Sequence, residues 1–507
     1  MSASIKKLLF ILLIFTGVNT YAQAPANKLK ALVNSLSTFK DNLPVEKLYL
    51  QTDKPYYAAG DTLHFKAYLL NADYLTPSTR SGLLYIELDD AMNRTAKRIM
   101  VPVVSGISWG DIALIDKEVP EGSYTLRAYT NWMRNFGEDY VFKKNIYVAA
   151  LSGSTLVKAN FKLDSIAGKN KVMANIQLTD LNGTPLRLKN LELKVMNGRH
   201  NLFRDKINTG MDGNMAVNFD LADKTAINDL SIIAQQTGKD ADTATLTIPV
   251  IINRSQQTDL QFMPEGGNLV AGIKTRVGFK AIHEDGKATD VAGRILDSKQ
   301  RVVATFRSAH KGMGSFEFIP QGGEIYTASI GTTKNYTLPV VNAAGTVLRI
   351  NSKGDDSLEV VVNNTADANN SHYLIAQARG VVCYAATAKD AGIKKVISTS
   401  LFPTGIVRFT LLDQNNVPLN DRVVFIDHHD NLNIQVQANN RAYQVRDSVG
   451  LTIKVTDKEG KPVQGTFSLA VTDNSQVKPD SLSNNILNNL LFTSDLKGTI
   501  EEPGWYF

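Results

Sequence analysis

Cysteine is nearly absent: Cys383 is the only one in 507 residues, so no internal disulfide can form and stability must come from packing. Histidine is scarce, at 7 residues scattered singly apart from His428 and His429. No nucleophile elbow, His-Glu-x-x-His or Walker loop is present. Beyond the first residues no apolar run approaches the ~20 residues of a membrane-spanning helix. The formal net charge is +6, part of it in the leader, and Lys and Arg are scattered. There is no basic run of the kind that nucleic acid or an anionic membrane surface would require.

What is present begins with a leader. Lys6 and Lys7 precede the apolar residues 8–18 and a small-residue site at Tyr21-Ala22-Gln23-Ala24. That order predicts a secretory signal peptide over 1–22 and an exported chain, in the periplasm or at the outer membrane or cell surface. Leu29, Leu32, Val33, Leu36 and Phe39 then fall at helical spacing, which predicts a short amphipathic helix and linker over 23–44.

After residue 44 the pattern becomes period-two alternation, broken by turn residues every eight to twelve positions, the rhythm of tandem β-sandwiches. Several stretches share one order: an alternating strand ending near Asp, a polar turn, often Pro, and another strand. Examples are VMANIQLTDLNGTPLRLKNLELKV (172–195), IVRFTLLDQNNVPLNDRVVFID (406–427) and LTIKVTDKEGKPVQGTFSLAV (451–471), with a looser copy at 277–297. The expected fold is therefore all-β: immunoglobulin-like sandwiches over 45–149, 150–253, 258–341, 346–433 and 438–507, the last incomplete.

The stretch Thr52-Asp53-Lys54-Pro55-Tyr56-Tyr57, continued by Gly60-Asp61, resembles the "TDKP-x-Y-x-x-G-[DE]" signature of the second macroglobulin-type domain in the alpha-2-macroglobulin family. Gly122-Ser123-Tyr124 resembles the later "G-x-Y" strand of that domain. Thr52, Asp53, Lys54, Pro55, Tyr57, Gly60, Asp61, Gly122 and Tyr124 are expected to build a strand-turn-strand edge rather than a reactive centre. Four further stretches resemble motifs of bacterial exported proteins built from such domains: 259–267 (DLQFMPEGG), 310–316 (HKGMGSF), 402–406 (FPTGI) and 494–504 (SDLKGTIEEPG). In that group such domains often precede the plug segment of an outer-membrane receptor.

The resemblance implies a non-enzymatic envelope scaffold, with an outer-membrane receptor of TonB-dependent transport as a candidate partner. The alternative is an endopeptidase inhibitor without a thioester. Val381-Val382-Cys383-Tyr384-Ala385-Ala386 lacks the Glu-Gln needed to condense with the thiol. Asp427-His428-His429-Asp430 offers metal-ligand chemistry, but neighbouring strand residues face opposite sides, so a polar turn is expected. No metal, cofactor or nucleic acid is expected. Trp109, Trp132 and Tyr140 are the aromatics best suited to stack on sugars, although core or edge packing is the commoner use of such residues.

Overall fold

The computed structural model describes residues 27–507 apart from 91, 116, 121, 150–156, 168–170, 181–183, 198–199, 221–229, 238–244, 250–257, 284–285, 332–333, 366–370, 389–391, 474–476 and 478–479. Residues 27–42 form helix α1. Its Leu29, Leu32, Val33 and Leu36 lie on Tyr373, Ile375 and Leu412, with Val382 and Ala385 beside them. The amphipathic face thus covers the outside of a sheet more than 300 residues away in sequence. Phe39, expected on the same face, is 64% exposed. By that turn the helix has run past the sheet, and Lys40 pairs instead with Asp41 and Asp73.

The first sandwich contains β1 (Glu46–Thr52), β2 (Tyr56–Ala58), β3 (Thr62–Asn71), β4 (Leu83–Asp89), β5 (Thr95–Pro102), β6 (Ile107–Ala113), β7 (Gly122–Tyr129) and β8 (Phe142–Ala149). One sheet runs β1-β3-β6 and the other β2-β8-β7-β4-β5. Leu63, Phe65 and Ala67 from β3 meet Leu84, Ile86 and Leu88 from β4 and Leu126 and Ala128 from β7 in one core. This is the inward half of the alternation seen in sequence.

Setting aside the short β2, the seven main strands occupy positions 1-2-5 in one sheet and 4-3-6-7 in the other. The same order recurs in the strands spanning Val157–Pro249, Asp259–Thr337 (with the two-residue strand Leu269–Val270 also set aside) and Thr346–Ile426. The chain is therefore a series of immunoglobulin-like, macroglobulin-like sandwiches.

The shared turn order has a common geometry. Asp90, Asp297, Asp413 and Asp457 each accept, through Oδ1, the N–H groups two and four residues ahead. The residue three ahead takes positive φ: Asn93 at 58°, Gln300 at 61°, Asn416 at 65° and Gly460 at 82°. A carboxylate that satisfies two turn amides explains why strands end on Asp.

Residues 438–507, expected as an incomplete fifth sandwich, contribute one two-stranded ladder among the described residues. Asn433–Ala438 and Leu451–Thr456 form a two-stranded ladder, and no further strand is assigned between Thr456 and Phe507 among the described residues. The register puts Ile434, Val436, Ala438, Leu451, Ile453 and Val455 on one apolar face. The chain then continues into helix α2 (Ile486–Leu491) and a terminal segment ending in the short helical turn Pro503–Tyr506.

Candidate functional site: a signature corner and a clamp between sandwiches

The signature residues sit where the first strand changes sheets. β1 pairs antiparallel with β3, whereas β2 pairs parallel with β8 in the opposite sheet. Pro55 lies at the crossing, where no ladder donor is needed. Asp53 Oδ1 accepts from Tyr57 Oη at 2.6 Å and from the His64 N–H at 3.1 Å. Tyr57 Oη in turn accepts from the Lys54 N–H at 3.2 Å. Thr52 Oγ1 donates to the Lys54 carbonyl at 2.9 Å and accepts from Lys144 Nζ at 2.7 Å. Lys54 Nζ reaches Asp61 Oδ2 at 2.6 Å, and Gly60 turns at φ 87°.

These contacts set the local protonation. Burial, reinforced by the bond to Asp53, pushes the Tyr57 hydroxyl well above its ordinary range. Burial also lowers the Lys144 ammonium, against the pull of Asp53. At Asp61 burial opposes the charge, but the Lys54 ammonium and the Ala58 N–H hold the carboxyl below its usual value. The corner's polar atoms are thus directed at one another. Gly122 opens β7, and Tyr124 Oη donates to the Pro120 carbonyl at 2.8 Å, a tyrosine corner. The third sandwich has a counterpart, in which the Gln321 N–H donates to Tyr326 Oη at 2.9 Å.

The other motif stretches, spread over some 240 residues, meet at the junctions between sandwiches. Glu265 is 6% exposed. Its Oε1 accepts from the Ile350 N–H at 3.2 Å and from Arg422 Nε at 3.0 Å. Asn420 Nδ2 donates to the Gly266 carbonyl at 2.8 Å and to the Thr346 carbonyl at 3.0 Å. Gly266 has φ 81°, and a Cβ there would sit 2.8 Å from the Leu348 carbonyl. The Pro-Glu-Gly-Gly stretch is therefore the joint between the third and fourth sandwiches.

The terminal segment clamps three sandwiches. On the first, Lys47 Nζ donates to the Leu490 carbonyl at 3.1 Å and pairs with Asp495 at 2.7 Å. Burial lowers the Lys47 ammonium, and Asp495 opposes that shift. On the third, Lys280 pairs with Glu501 at 2.9 Å and Lys311 with Glu502 at 2.7 Å. The His310 and Trp505 rings stack there at 3.9 Å and 4°. On the fourth, the Phe425 ring meets Phe492 and Phe507 edge-on at 5.8 and 5.2 Å. Gly405, at φ 125°, leaves room for the Leu491 carbonyl, which would lie 3.1 Å from a Cβ. Asn485 caps α2 by accepting from the Leu487 and Asn488 N–H groups.

His428 turns its Nε2 toward the Phe402 carbonyl at 2.9 Å, while His429 is exposed and pairs with Asp427. The two rings therefore point to different partners. Cys383 is half-buried in the fourth sandwich, and burial pushes its thiol up. Trp109 is 68% exposed, whereas Trp132 Nε1 donates to the Pro44 carbonyl at 2.6 Å.

One feature escaped sequence reasoning: a polar recess of about 460 Å³ on the outer face of β4, β5 and β7. Glu87, 2% exposed, anchors it by accepting from Arg98 Nε at 2.7 Å, Arg127 Nη1 at 2.8 Å and Tyr129 Oη at 2.9 Å. Arg127 also grips Glu138 through two bonds of 2.8 and 3.0 Å. Burial works against the Arg127 charge, yet Glu138, Glu87 and Asp89 raise its affinity for the proton. The available signal was the outward alternation Tyr85, Glu87, Asp89. The facing arginines could be found only from the register, which pairs Glu87 with both Arg98 and Arg127.

No family model matches the chain, and no curated protein matches it. Solved structures do match. The native conformation of Escherichia coli alpha-2-macroglobulin is 11% identical over 82% of this chain and 32% of its own length, with a TM-score of 0.33. The trypsin-activated form gives 11%, 82%, 33% and 0.36. The BSP domain of a biofilm associated protein is 9% identical over 76% of this chain and 97% of its own, with a TM-score of 0.24. The chain spans about a third of the macroglobulins that it matches. The sandwich assignment rests on the strand order described above. Among the described residues no helix is long and apolar enough to cross a membrane.

Proposed function

We propose that the chain is a non-catalytic, exported scaffold of the bacterial cell envelope that engages a protein partner there. A TonB-dependent outer-membrane receptor is the partner to which the sequence resemblance points. The reading is carried by one observation: the motif residues converge on the joint at Glu265 and on the terminal clamp, where their polar and aromatic groups bind other parts of the same chain. Residues spent in this way hold sandwiches in fixed relation, which is what a scaffold requires. The leader pattern supports export, and sandwich chains commonly engage partners through edges and end loops.

Limited proteolysis of the full chain with a panel of endopeptidases tests the proposal. The scaffold reading expects cuts between sandwiches, near 149/150 and 253/258, with the protease remaining fully active. A single early cut followed by compaction and retention of the protease would establish the inhibitor instead.

A further inference from the structure

We infer that the recess on the first sandwich binds a hexuronic-acid residue of an acidic saccharide. Its volume of about 460 Å³ falls in the range of small-molecule sites, roughly 300–1,000 Å³. Its lining is polar, with Val141 the single aliphatic wall, so an acyl chain or an apolar peptide would strand polar groups without partners.

The charge balance selects an anion. Three arginines, Arg98, Arg127 and Arg134, face two carboxylates, Glu87 and Glu138. Glu87 is taken by Arg98 and Arg127, and Glu138 by Arg127 and Lys143. Arg134 is exposed and has no carboxylate partner among the described residues; its guanidinium lies 6.0 Å from the Tyr129 ring. A guanidinium presents parallel donors that match a carboxylate.

The aromatic pair adds shape. Tyr85 stacks on Tyr129 at 5.6 Å and 13° and remains half-exposed. Such a ring offers a flat apolar surface for the C–H face of a pyranose, with a polar tip beside it. Asn131 donates to Tyr85 Oη at 3.2 Å, and both Asn131 and Thr95 are exposed at the recess. Hydroxyl and amide groups of this kind match sugar hydroxyls. A carboxylate on a hydroxylated ring meets all three requirements at once. A neutral sugar lacks the partner for Arg134, and an inorganic anion lacks the ring.

Titration of the full chain with a galacturonic-acid trimer, its methyl ester and sulfate, followed by calorimetry, tests the inference. The acid should bind at least about tenfold more tightly than the ester, and sulfate at equal concentration should not displace it. Arg134→Ala should weaken the acid about tenfold with an unchanged melting temperature, because that side chain anchors no ion pair among the described residues. Arg134→Lys, which keeps the charge and loses the fork, should give an intermediate loss and serves if the alanine variant does not fold. Absence of binding, equal affinity for acid and ester, displacement by sulfate, or full affinity in the folded Arg134 variants would each overturn the assignment.

Discussion

In the first sandwich the outward residues of the third and sixth strands are Tyr85, Glu87 and Asp89, facing Tyr129, Arg127 and Thr125. In the fourth, the same positions hold Tyr373, Ile375 and Gln377, facing Leu412, Thr410 and Arg408. The inward residues are alike: Leu84, Ile86 and Leu88 in one, Leu374, Ala376 and Ala378 in the other. Core positions are held to one chemistry by the need to fill space between two sheets, whereas the outer face is free to differ. The fourth sandwich buries its outer face under α1. The first buries carboxylates there, satisfies them with arginines, and leaves an opening.

Exchanging the chemistry of the two faces should break each of them. Ile375→Asp places an unpaired charge beneath α1 and should cost about 4 kcal/mol or lift the helix from the sheet; urea unfolding together with far-ultraviolet dichroism reads both outcomes. Glu87→Ala leaves Arg98 and Arg127 without their shared partner and should cost about 3 kcal/mol, measured by the same unfolding midpoint. Ala at position 375 should cost less than Asp, about 2–3 kcal/mol, as a cavity without a stranded charge. Leu32→Ala trims a half-buried contact and should cost about 1.5 kcal/mol, with faster amide exchange confined to residues 27–42.

The smallest effect is electrostatic. Lys143 first, then Arg127, hold the Glu138 carboxyl below its ordinary 4.5. The folded value lies under the unfolded one, so the contribution is fully present above about pH 4.5 and is lost as pH falls through the folded value. The carboxylate is 65% exposed, and screening limits it to a few tenths of a kcal/mol. Glu138→Gln should flatten that part of the acid limb of a melting-temperature profile, while the fourth sandwich's helix-covered face contributes no such slope.

Much of this architecture is readable from local chemistry. Alternation at Leu63, Phe65 and Ala67 announces a strand with one wet face, and helical spacing at Leu29, Leu32, Val33 and Leu36 announces α1, since both periodicities are properties of neighbouring residues. What α1 covers is a question of tertiary contact, and Tyr373 carries no mark of it. The Asp-turn-Pro order likewise continues at Asp457 and Pro462, which makes 438–507 read as a fifth sandwich. Yet Phe492, Glu501 and Trp505 find their partners in other sandwiches. At the signature corner Pro55 and Gly60 constrain backbone directly, so a bend there is a property of local sequence. The recess could not be read in this way, because its charges lie on three strands and on the two helical turns Met133–Phe136 and Glu138–Tyr140, and no one of these elements encodes how they meet.

A scaffold of fixed sandwiches requires the terminal segment to be bound to those it touches. Native-state hydrogen exchange measures this directly by comparing the amides of Ile486–Leu491 with those of the exposed ladder strand Asn433–Ala438. Bound as described, α2 should exchange at least about a hundredfold more slowly than the ladder, and Lys47→Ala should abolish that difference. Equal, fast exchange in both segments of the unaltered protein would contradict the clamp and the scaffold built on it.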